Sequence, residues 1–255
     1  MSNDLVSIAE RLDQAILTAT ATPQLPKGSE IEAATGYAVQ AHGIELRKAR
    51  GERVIGVKMG LTSRAKMEQV GVDEVTWGRL TDTMRREEGG TLARADFIHP
   101  RAEPEVAFIL GRRLTGEVSL AEAALAVEAL APAVEIIDSR YENFRFALGD
   151  VVADNSSSAA FFLGPRAKPD TDIANLGIVL SINGAPREIG SSAAILGHPL
   201  RALVAAARMT ARAGHVLEPG DIVLAGAATA AVPLQVGMQV EARIQHLGRV
   251  GFSVV

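Results

Sequence analysis

The chain has 255 residues, of which 47% are hydrophobic and 22% are charged, and its formal net charge is -4. This length is enough for one large domain with a buried core, and the charge balance excludes the strongly basic surface of a typical nucleic-acid-binding protein. The chain contains no cysteine, which excludes disulfides, thiolate metal sites and a cysteine nucleophile.

The N-terminal segment, MSNDLVSIAERLDQ, contains acidic residues and no apolar core of the signal-peptide type. The longest apolar run lies at residues 222–234, and it is shorter than the roughly 20 residues that a transmembrane helix needs. We therefore expect a cytoplasmic protein that has neither a membrane nor a nucleic acid as a partner.

The first part of the chain is predicted to be helical. Over residues 4–20, apolar side chains recur at the spacing of an amphipathic helix. Residues 21–28 contain two prolines and a glycine and form a connector. Ser29 and Glu32 have the spacing of a capping box for a second helix, which we expect to end at Gly51.

After this glycine the pattern changes to short apolar runs that are separated by turn residues, and such runs predict strands. We therefore assign the chain to the α+β class. A helical N-terminal region is placed at residues 1–52, and a β-rich main domain is placed at residues 53–255.

Two helices are predicted within the β-rich part. Ser119 and Glu122 form a capping box, and the helix that follows is expected to reach Leu130 and to end at Pro132. The other helix begins at Pro199, a residue type that is favoured in the first turn, and ends at a glycine cap.

Three acidic residues stand out because they interrupt apolar strands. In the segment RAEPEVAFIL, alternation of side chains places Glu103 and Glu105 on the same face of a strand. The later segment AVEIID carries Glu135. If the two strands are adjacent, three ionised carboxylates repel each other unless a divalent cation lies between them. Oxygen ligands without cysteine or histidine favour Mg²⁺ or Mn²⁺.

A simpler interpretation of these acids does not involve a metal. Glu103 and Glu105 would then be solvated residues at a strand edge, and Glu135 would pair with an arginine. The apolar surroundings of Glu135 count against this interpretation, because a carboxylate is rarely buried without a partner.

Lys58 is a second candidate because it lies between Gly56 and Gly60 inside a β-like run. Glycines permit a close approach of the backbone or a sharp bend. A lysine in this position could contact a substrate carboxylate or a developing enolate. The alternative is a surface lysine whose aliphatic part covers the strand.

Further polar residues have two possible roles. The segment 136–164 crowds polar side chains between two apolar runs, so these side chains either form a well-bonded structural loop or line a site. His198 precedes a helix, and a histidine in such a place is more often a structural residue than a catalyst. Thr229, in the segment GAATAAVPL, belongs either to a pocket wall or to a tight core strand.

Several segments occur in one order along the chain: GVKMGLTSRAKM, WGRLTD, PRAEPEVAFIL, PAVEIIDSRYENF, VVADNSSS, LGHPL and TAAVP. Together they resemble the hydratase/decarboxylase branch of the fumarylacetoacetate hydrolase superfamily, over essentially the whole chain. The resemblance implies a mixed β-sandwich roll that is preceded by a small helical region.

The resemblance also implies a set of site residues. The metal ligands for Mg²⁺ or Mn²⁺ would be Glu103, Glu105 and Glu135, and Lys58 would be catalytic. The residues assigned to substrate binding are Lys58, Ser63, Asp82 and Thr229.

The activity implied is the metal-dependent decarboxylation of 4-oxalocrotonate (2-oxohex-3-enedioate) to 2-hydroxypenta-2,4-dienoate and CO₂, in the meta-cleavage degradation of aromatic compounds. The segments KMGLTS, DSRYENF, GHPL and TAAVP resemble the decarboxylases, whereas PRAEPEVAFIL and WGRLTDTM are closer to the hydratases. The main alternative is therefore hydration of 2-hydroxypenta-2,4-dienoate.

Two more functions fit the resemblance. One is that of a scaffold subunit that binds a partner hydratase, and the second is that of a related diketone or acylpyruvate hydrolase, which needs a base that activates water. For the decarboxylase itself we expect a complex with a 2-hydroxypentadienoate hydratase, and we expect a homo-oligomer.

Overall fold

A computed structural model describes residues 2–25, 30–63, 67 and 75–255 of the protein. Five α-helices lie within these ranges: Ser2–Thr18 (α1), Ala33–Ala49 (α2), Leu120–Ala126 (α3), Leu148–Ala153 (α4) and Pro199–Arg212 (α5). No helix in this part of the chain is both long enough and apolar enough to cross a membrane.

The strands in the same ranges are Val54–Gly60 (β1), Thr76–Thr81 (β2), Arg85–Arg86 (β3), Thr91–Leu92 (β4), Arg101–Leu110 (β5), Val127–Ile137 (β6), Ser158–Leu163 (β7), Gly177–Ile182 (β8), Ala185–Ser191 (β9), Ile222–Ala227 (β10), Val232–Pro233 (β11), Gln239–Ile244 (β12) and Gly248–Val254 (β13).

The two N-terminal helices lie close to where the sequence predicts them. Gly51, with φ of +94°, follows the end of α2 and occupies the left-handed conformation expected of a helix stop. Ser29 lies outside the described residues, so the predicted capping box has no structural test there. Glu32 precedes α2 and makes no side-chain cap.

The predicted capping box of α3 is confirmed, but the predicted length of the helix is wrong. The Glu122 backbone N–H donates to Ser119 Oγ at 3.2 Å, and the Ser119 backbone N–H donates to Glu122 Oε2 at 2.8 Å. The helix ends at Ala126, and both Leu130 and Pro132 lie in β6. These residues pair with β5 instead, because burial in the centre of a sheet outweighs a modest helix propensity.

The strands form two sheets. In the larger sheet the order is β2-β1-β10-β5-β6-β7-β3, and β11 pairs with the start of β5. In the smaller sheet the order is β4-β13-β12-β8-β9. Strand β10 lies between β1 and β5 and pairs with both. In this order the long strands β5 and β6 occupy the centre of the larger sheet. The α+β class is confirmed.

One face of the larger sheet is covered by the smaller sheet and by helix α5. Phe162 and Phe252 stack between the sheets with their ring centroids 4.1 Å apart. Leu203 of α5 belongs to a second apolar cluster, together with Val57 and Phe108. The opposite face of β5 therefore presents the other set of alternating side chains, and this is the face that carries the acidic residues.

The helical N-terminal region shares a core with the β-rich part. Leu12 of α1 and Val39 of α2 pack in one apolar cluster with Tyr141 and Ala153. The domain boundary at residues 52 and 53 stays a prediction.

A buried ion pair organises part of the polar segment that follows β6. Arg140 pairs with Asp154, and its guanidinium also donates to the Asp138 carbonyl at 2.6 Å and to the Ser158 carbonyl at 3.1 Å. The Asp138 carboxylate accepts hydrogen bonds from the backbone N–H groups of Ile98 and His99, at 2.8 and 2.7 Å. These members of the segment form the well-bonded loop that was one of its two predicted roles.

We expect Arg140→Met to lower the free energy of unfolding by about 3–5 kcal/mol, because it leaves the Asp154 charge buried without its partner. Urea unfolding followed by circular dichroism measures this change. The control is Arg166→Met, which breaks an exposed ion pair with Glu128 and should cost less than about 1 kcal/mol. Equal losses in the two variants would contradict the importance of the buried pair.

Candidate active site

The structure brings the three predicted glutamates together. Glu103 on β5 lies directly opposite Glu135 on β6 in the antiparallel ladder, and Glu105 follows two residues later on the same face. One oxygen atom from each carboxylate lies within 4.8 Å of the others. The side chains are buried, with exposures of 5% for Glu103 and 0% for the other two. The interpretation as solvated edge residues is therefore wrong.

Burial and mutual repulsion both act on these carboxylates. Burial, and then the charge of Glu135, raise the pKa of Glu105 well above its ordinary value, although Lys58 opposes the shift. Burial also raises the pKa of Glu135, again against the effect of Lys58. The ionised forms are thus unfavourable in this site unless further positive charge is present.

The oxygen atoms fit a hard divalent cation. Within the described part of the chain, Glu105 Oε1 and Glu135 Oε1 are buried and have no hydrogen-bond donor. Buried polar atoms of this kind normally have partners, and a cation among them would supply one. A cluster of carboxylate oxygens without sulfur or imidazole ligands suits Mg²⁺ or Mn²⁺.

Lys58 provides a positive charge beside the carboxylates. Its Nζ lies 3.0 Å from Glu135 Oε2, and the side chain is only 3% exposed, so the surface-lysine interpretation is wrong. Burial alone lowers the pKa of Lys58, but the charges of Glu135, Glu105 and Glu103 raise it above its ordinary value. The amine is therefore held as an ammonium ion.

The sheet register explains why Lys58 reaches the glutamates. Lys58 on β1 pairs with Leu224 on β10, and Leu224 pairs with Ala107 on β5. The lysine and the glutamates consequently lie on the same face of neighbouring strands. Gly60, two residues after the lysine, lets β1 lie close to β2, since a Cβ there would collide with Thr76 Oγ1.

A bulge in β10 aims a backbone donor at the carboxylates. The register between β10 and β5 shifts between Leu224 and Ala227, and Gly226 has a φ of +100°. Its N–H donates to Glu105 Oε2 at 2.7 Å. A Cβ at Gly226 would collide with the side chain of Thr62, so this close approach needs a glycine.

A left-handed turn supplies the second acceptor for the lysine. Lys58 Nζ donates to the backbone carbonyl of Ser156 at 3.2 Å. Asn155, Ser156 and Ser157 have φ values of +51°, +52° and +57°, an uncommon conformation for residues other than glycine. This part of the polar segment therefore takes the second predicted role, since it lines the site.

The remaining predicted residues are placed differently. Asp82 follows the end of β2, and its carboxylate accepts hydrogen bonds from Arg53 N and Nε, both at 3.0 Å. It lies four positions after Gly78, the partner of Lys58, which corresponds to about 13 Å along a strand. The structure therefore does not bring Asp82 to the glutamates.

Thr229 lies just beyond the end of β10, the strand next to β5. It follows β10 by two residues, after Ala227, which pairs with Glu105, and its hydroxyl donates to the Ala230 carbonyl at 3.0 Å. Ser63 follows β1 by three residues. Its role and that of Thr229 in substrate binding stay predictions.

His198 has a structural contact, as the commoner interpretation of such a histidine predicts. It is the N-cap of α5, and its Nδ1 accepts a hydrogen bond from the Leu200 N–H at 3.1 Å. The sequence alone does not single out the Gly226 N–H or the Ser156 carbonyl as parts of the site. The crowded segment VVADNSSS and the small residues of GAATAAVPL were the signals that could have indicated them.

Comparison with known proteins agrees with this geometry. The model of the fumarylacetoacetate (FAA) hydrolase C-terminal family matches residues 34–255. The chain belongs to the fumarylacetoacetate hydrolase family. The predicted roll, in which mixed sheets are combined with a few helices, is thereby confirmed.

Three members of the family illustrate the similarity. A 4-oxalocrotonate decarboxylase from Pseudomonas sp. is 53% identical over 96% of this chain and 96% of its own length. A TodF product hydratase from Pseudomonas putida is 40% identical over 87% of this chain and 83% of its own length. The structure of 4-oxalocrotonate decarboxylase from Pseudomonas putida G7, complexed with magnesium and adipate, superimposes with a TM-score of 0.96 at 36% identity, and covers 100% of this chain and 98% of that one.

We expect Glu105→Gln to weaken Mg²⁺ binding by at least about tenfold, or about 1.4 kcal/mol, because it removes one anionic ligand. The glutamine oxygen can still accept the Gly226 N–H, and the variant removes a buried charge, so the metal-free protein should not lose stability. Isothermal titration calorimetry and thermal unfolding measure the two effects.

The control for this experiment is Glu128→Gln, since Glu128 is an exposed residue of β6. Its Mg²⁺ affinity should equal that of the wild type. An unchanged titration in Glu105→Gln would remove Glu105 from the metal site.

Proposed function

We propose that this protein decarboxylates 4-oxalocrotonate to 2-hydroxypenta-2,4-dienoate and CO₂ with the help of a divalent cation, in the degradation of aromatic compounds. The observation that carries the proposal is the buried group of three glutamates with Lys58 Nζ 3.0 Å from one of them. This group is found in a chain that is 53% identical to a 4-oxalocrotonate decarboxylase.

The reaction requires stabilisation of negative charge far from the bond that breaks. When the C5–C6 bond breaks, its electron pair moves through the C3–C4 double bond and comes to rest on the C2 oxygen. A cation held by Glu103, Glu105 and Glu135 would act as a Lewis acid for a 2-oxo acid bound there. The three carboxylates would hold that cation at a fixed place on the sheet.

Lys58 would contribute through its charge and its orientation. Its ammonium lies beside the carboxylates, and its ion pair with Glu135 and its hydrogen bond to the Ser156 carbonyl fix its direction. A positive charge placed beforehand at the point where charge develops lowers the barrier, because no reorganisation is needed during the reaction.

The far end of the substrate needs different surroundings. A strong ion pair to the leaving carboxylate would stabilise the ground state and slow its loss. The small apolar segment TAAVP, which contains Thr229 and follows β10, is our candidate for the wall on this side. Asp82 is left out of the proposed site because it pairs with Arg53.

We also propose that the protein forms homo-oligomers in the cytoplasm and associates with a hydratase that consumes its product. The product, 2-hydroxypenta-2,4-dienoate, is a dienol that tautomerises readily, so direct transfer to the next enzyme would be useful. The similarity to hydratases supports a shared scaffold for the two steps.

The test of the proposed function is an ultraviolet assay with 4-oxalocrotonate and Mg²⁺, with any released CO₂ trapped. We expect consumption of the substrate and release of CO₂, loss of both with EDTA, and recovery when Mg²⁺ is added in excess. Consumption of 2-hydroxypenta-2,4-dienoate without CO₂ release from 4-oxalocrotonate would instead establish a hydratase. Mg²⁺ binding without either turnover would establish a scaffold subunit.

We expect Lys58→Met to lower kcat by about 100-fold, the usual effect of removing one charged or hydrogen-bonding group that stabilises the transition state. The affinity for Mg²⁺ should not fall, because the variant removes a positive charge from beside the carboxylates. Steady-state kinetics and calorimetry measure the two quantities. Lys48→Met is the control, since Lys48 is exposed on α2, and near wild-type turnover in Lys58→Met would refute the assigned role.

A further inference from the structure

We propose that Asn155 is a positioning residue for Lys58. Its side-chain amide fastens the turn of residues 155–157 to β2, and the carbonyl of Ser156 in this turn then holds the lysine ammonium in place. The proposal deepens the proposed function, on which it rests for the role of Lys58.

The turn of residues 155–157 is a costly backbone arrangement. Its three residues all have φ between +51° and +57°, and a left-handed residue other than glycine costs roughly 1–2 kcal/mol. Such a conformation persists only where the surroundings enforce it, and it is concentrated at functional sites. The contacts that enforce it therefore indicate what the turn is for.

Asn155 makes the principal contact. Its Oδ1 accepts a hydrogen bond from the Arg79 N–H at 2.8 Å, and its Nδ2 donates to the Arg79 carbonyl at 2.9 Å. The amide thus binds both backbone groups of one residue, as a neighbouring strand would. Asparagine suits this position because it tolerates the left-handed region and carries both a donor and an acceptor.

The strand that receives Asn155 is shaped for this contact. A Cβ at Gly78 would collide with the backbone carbonyl of Asn155, so a glycine there lets the turn lie against β2. Ser156 Oγ donates to the Trp77 carbonyl at 3.0 Å. Three consecutive residues of β2 therefore hold the turn.

Helix α2 also binds this part of β2. Gln40 Nε2 donates to the Trp77 carbonyl at 3.1 Å, and Gln40 Oε1 accepts from Arg79 NH1 at 2.7 Å. Gln40 is 1% exposed. These hydrogen bonds hold the strand to which Asn155 binds, and the strand in turn fixes the position of the turn.

The position of the turn affects where the Lys58 ammonium lies. Glu135 Oε2 attracts the ammonium from one side at 3.0 Å, and the Ser156 carbonyl attracts it from another at 3.2 Å. If the turn relaxes, the carbonyl moves away and the ammonium is held by the carboxylates alone. It would then be misplaced for a substrate, and a displacement of about 1 Å can cost up to 100-fold in rate.

The test uses Asn155→Gly, which removes the amide but leaves a residue that adopts the left-handed conformation without strain. The probe is oxalate, a planar dianion that resembles the enolate of a 2-oxo acid, titrated by calorimetry into the Mg²⁺-loaded protein. We expect oxalate binding to weaken about fivefold and kcat to fall about tenfold, with Mg²⁺ affinity unchanged. Wild-type oxalate affinity in this variant would overturn the proposal.

A double-mutant cycle separates positioning from a general structural effect. In a Lys58→Met background, Asn155→Gly should not weaken oxalate binding any further, because the group that it positions is gone. Equal weakening in both backgrounds would show that Asn155 acts on the fold and not through Lys58, and would overturn the proposal. Asn155→Asp keeps the acceptor for the Arg79 N–H, so its oxalate affinity should lie between those of Asn155→Gly and the wild type.

The matched control is Asn183→Gly. Asn183 also has a left-handed backbone, with φ of +52°, and its Oδ1 accepts the Gln239 N–H at 2.7 Å, but it lies in the turn between β8 and β9 of the smaller sheet. This variant should leave oxalate binding and kcat unchanged. If the wild-type protein releases no CO₂ from 4-oxalocrotonate, the proposed function fails, while the oxalate cycle still decides whether Asn155 positions Lys58.

Discussion

The structure depends on the burial of three carboxylates beside one ammonium group. Glu103, Glu105 and Glu135 lie on neighbouring strands in the centre of the larger sheet, and Lys58 lies against them. Ionised carboxylates in such a place are unfavourable, as the raised pKa of Glu105 shows. A divalent cation among them would offset the surplus negative charge of the three carboxylates.

The arrangement of strands makes this concentration of charge possible. A central antiparallel pair, β5 and β6, places Glu103 opposite Glu135, while β10 connects β5 to the strand of the lysine. The face opposite the glutamates packs against the smaller sheet and α5. Apolar packing on one face thus supports an electrostatic site on the opposite face.

The site is also held by backbone groups at unusual conformations. The Gly226 N–H reaches Glu105 through a bulge, and the Ser156 carbonyl reaches Lys58 through a left-handed turn. Backbone groups cannot change rotamer, so they hold a charged side chain more firmly than another side chain does. Both contacts require strained or glycine-specific backbone, and the surrounding hydrogen bonds maintain it.

The sequence by itself determined the α+β class, the N-terminal helices and the capping box at Ser119. It also identified the three glutamates as one candidate metal-binding group. Each of these depends on local periodicity or on an acid in an apolar run, which is visible within a few residues. The predicted end of α3 was wrong because the position of Leu130 fits the apolar spacing of a helix as well as that of a buried strand.

Only the tertiary structure decided that Asp82 pairs with Arg53. It also decided that the turn of Asn155, which lies 97 positions after Lys58 along the chain, contacts the lysine. These outcomes depend on which strands become neighbours and on the register between them. Register is fixed by packing over the whole sheet, and a local pattern does not contain that information.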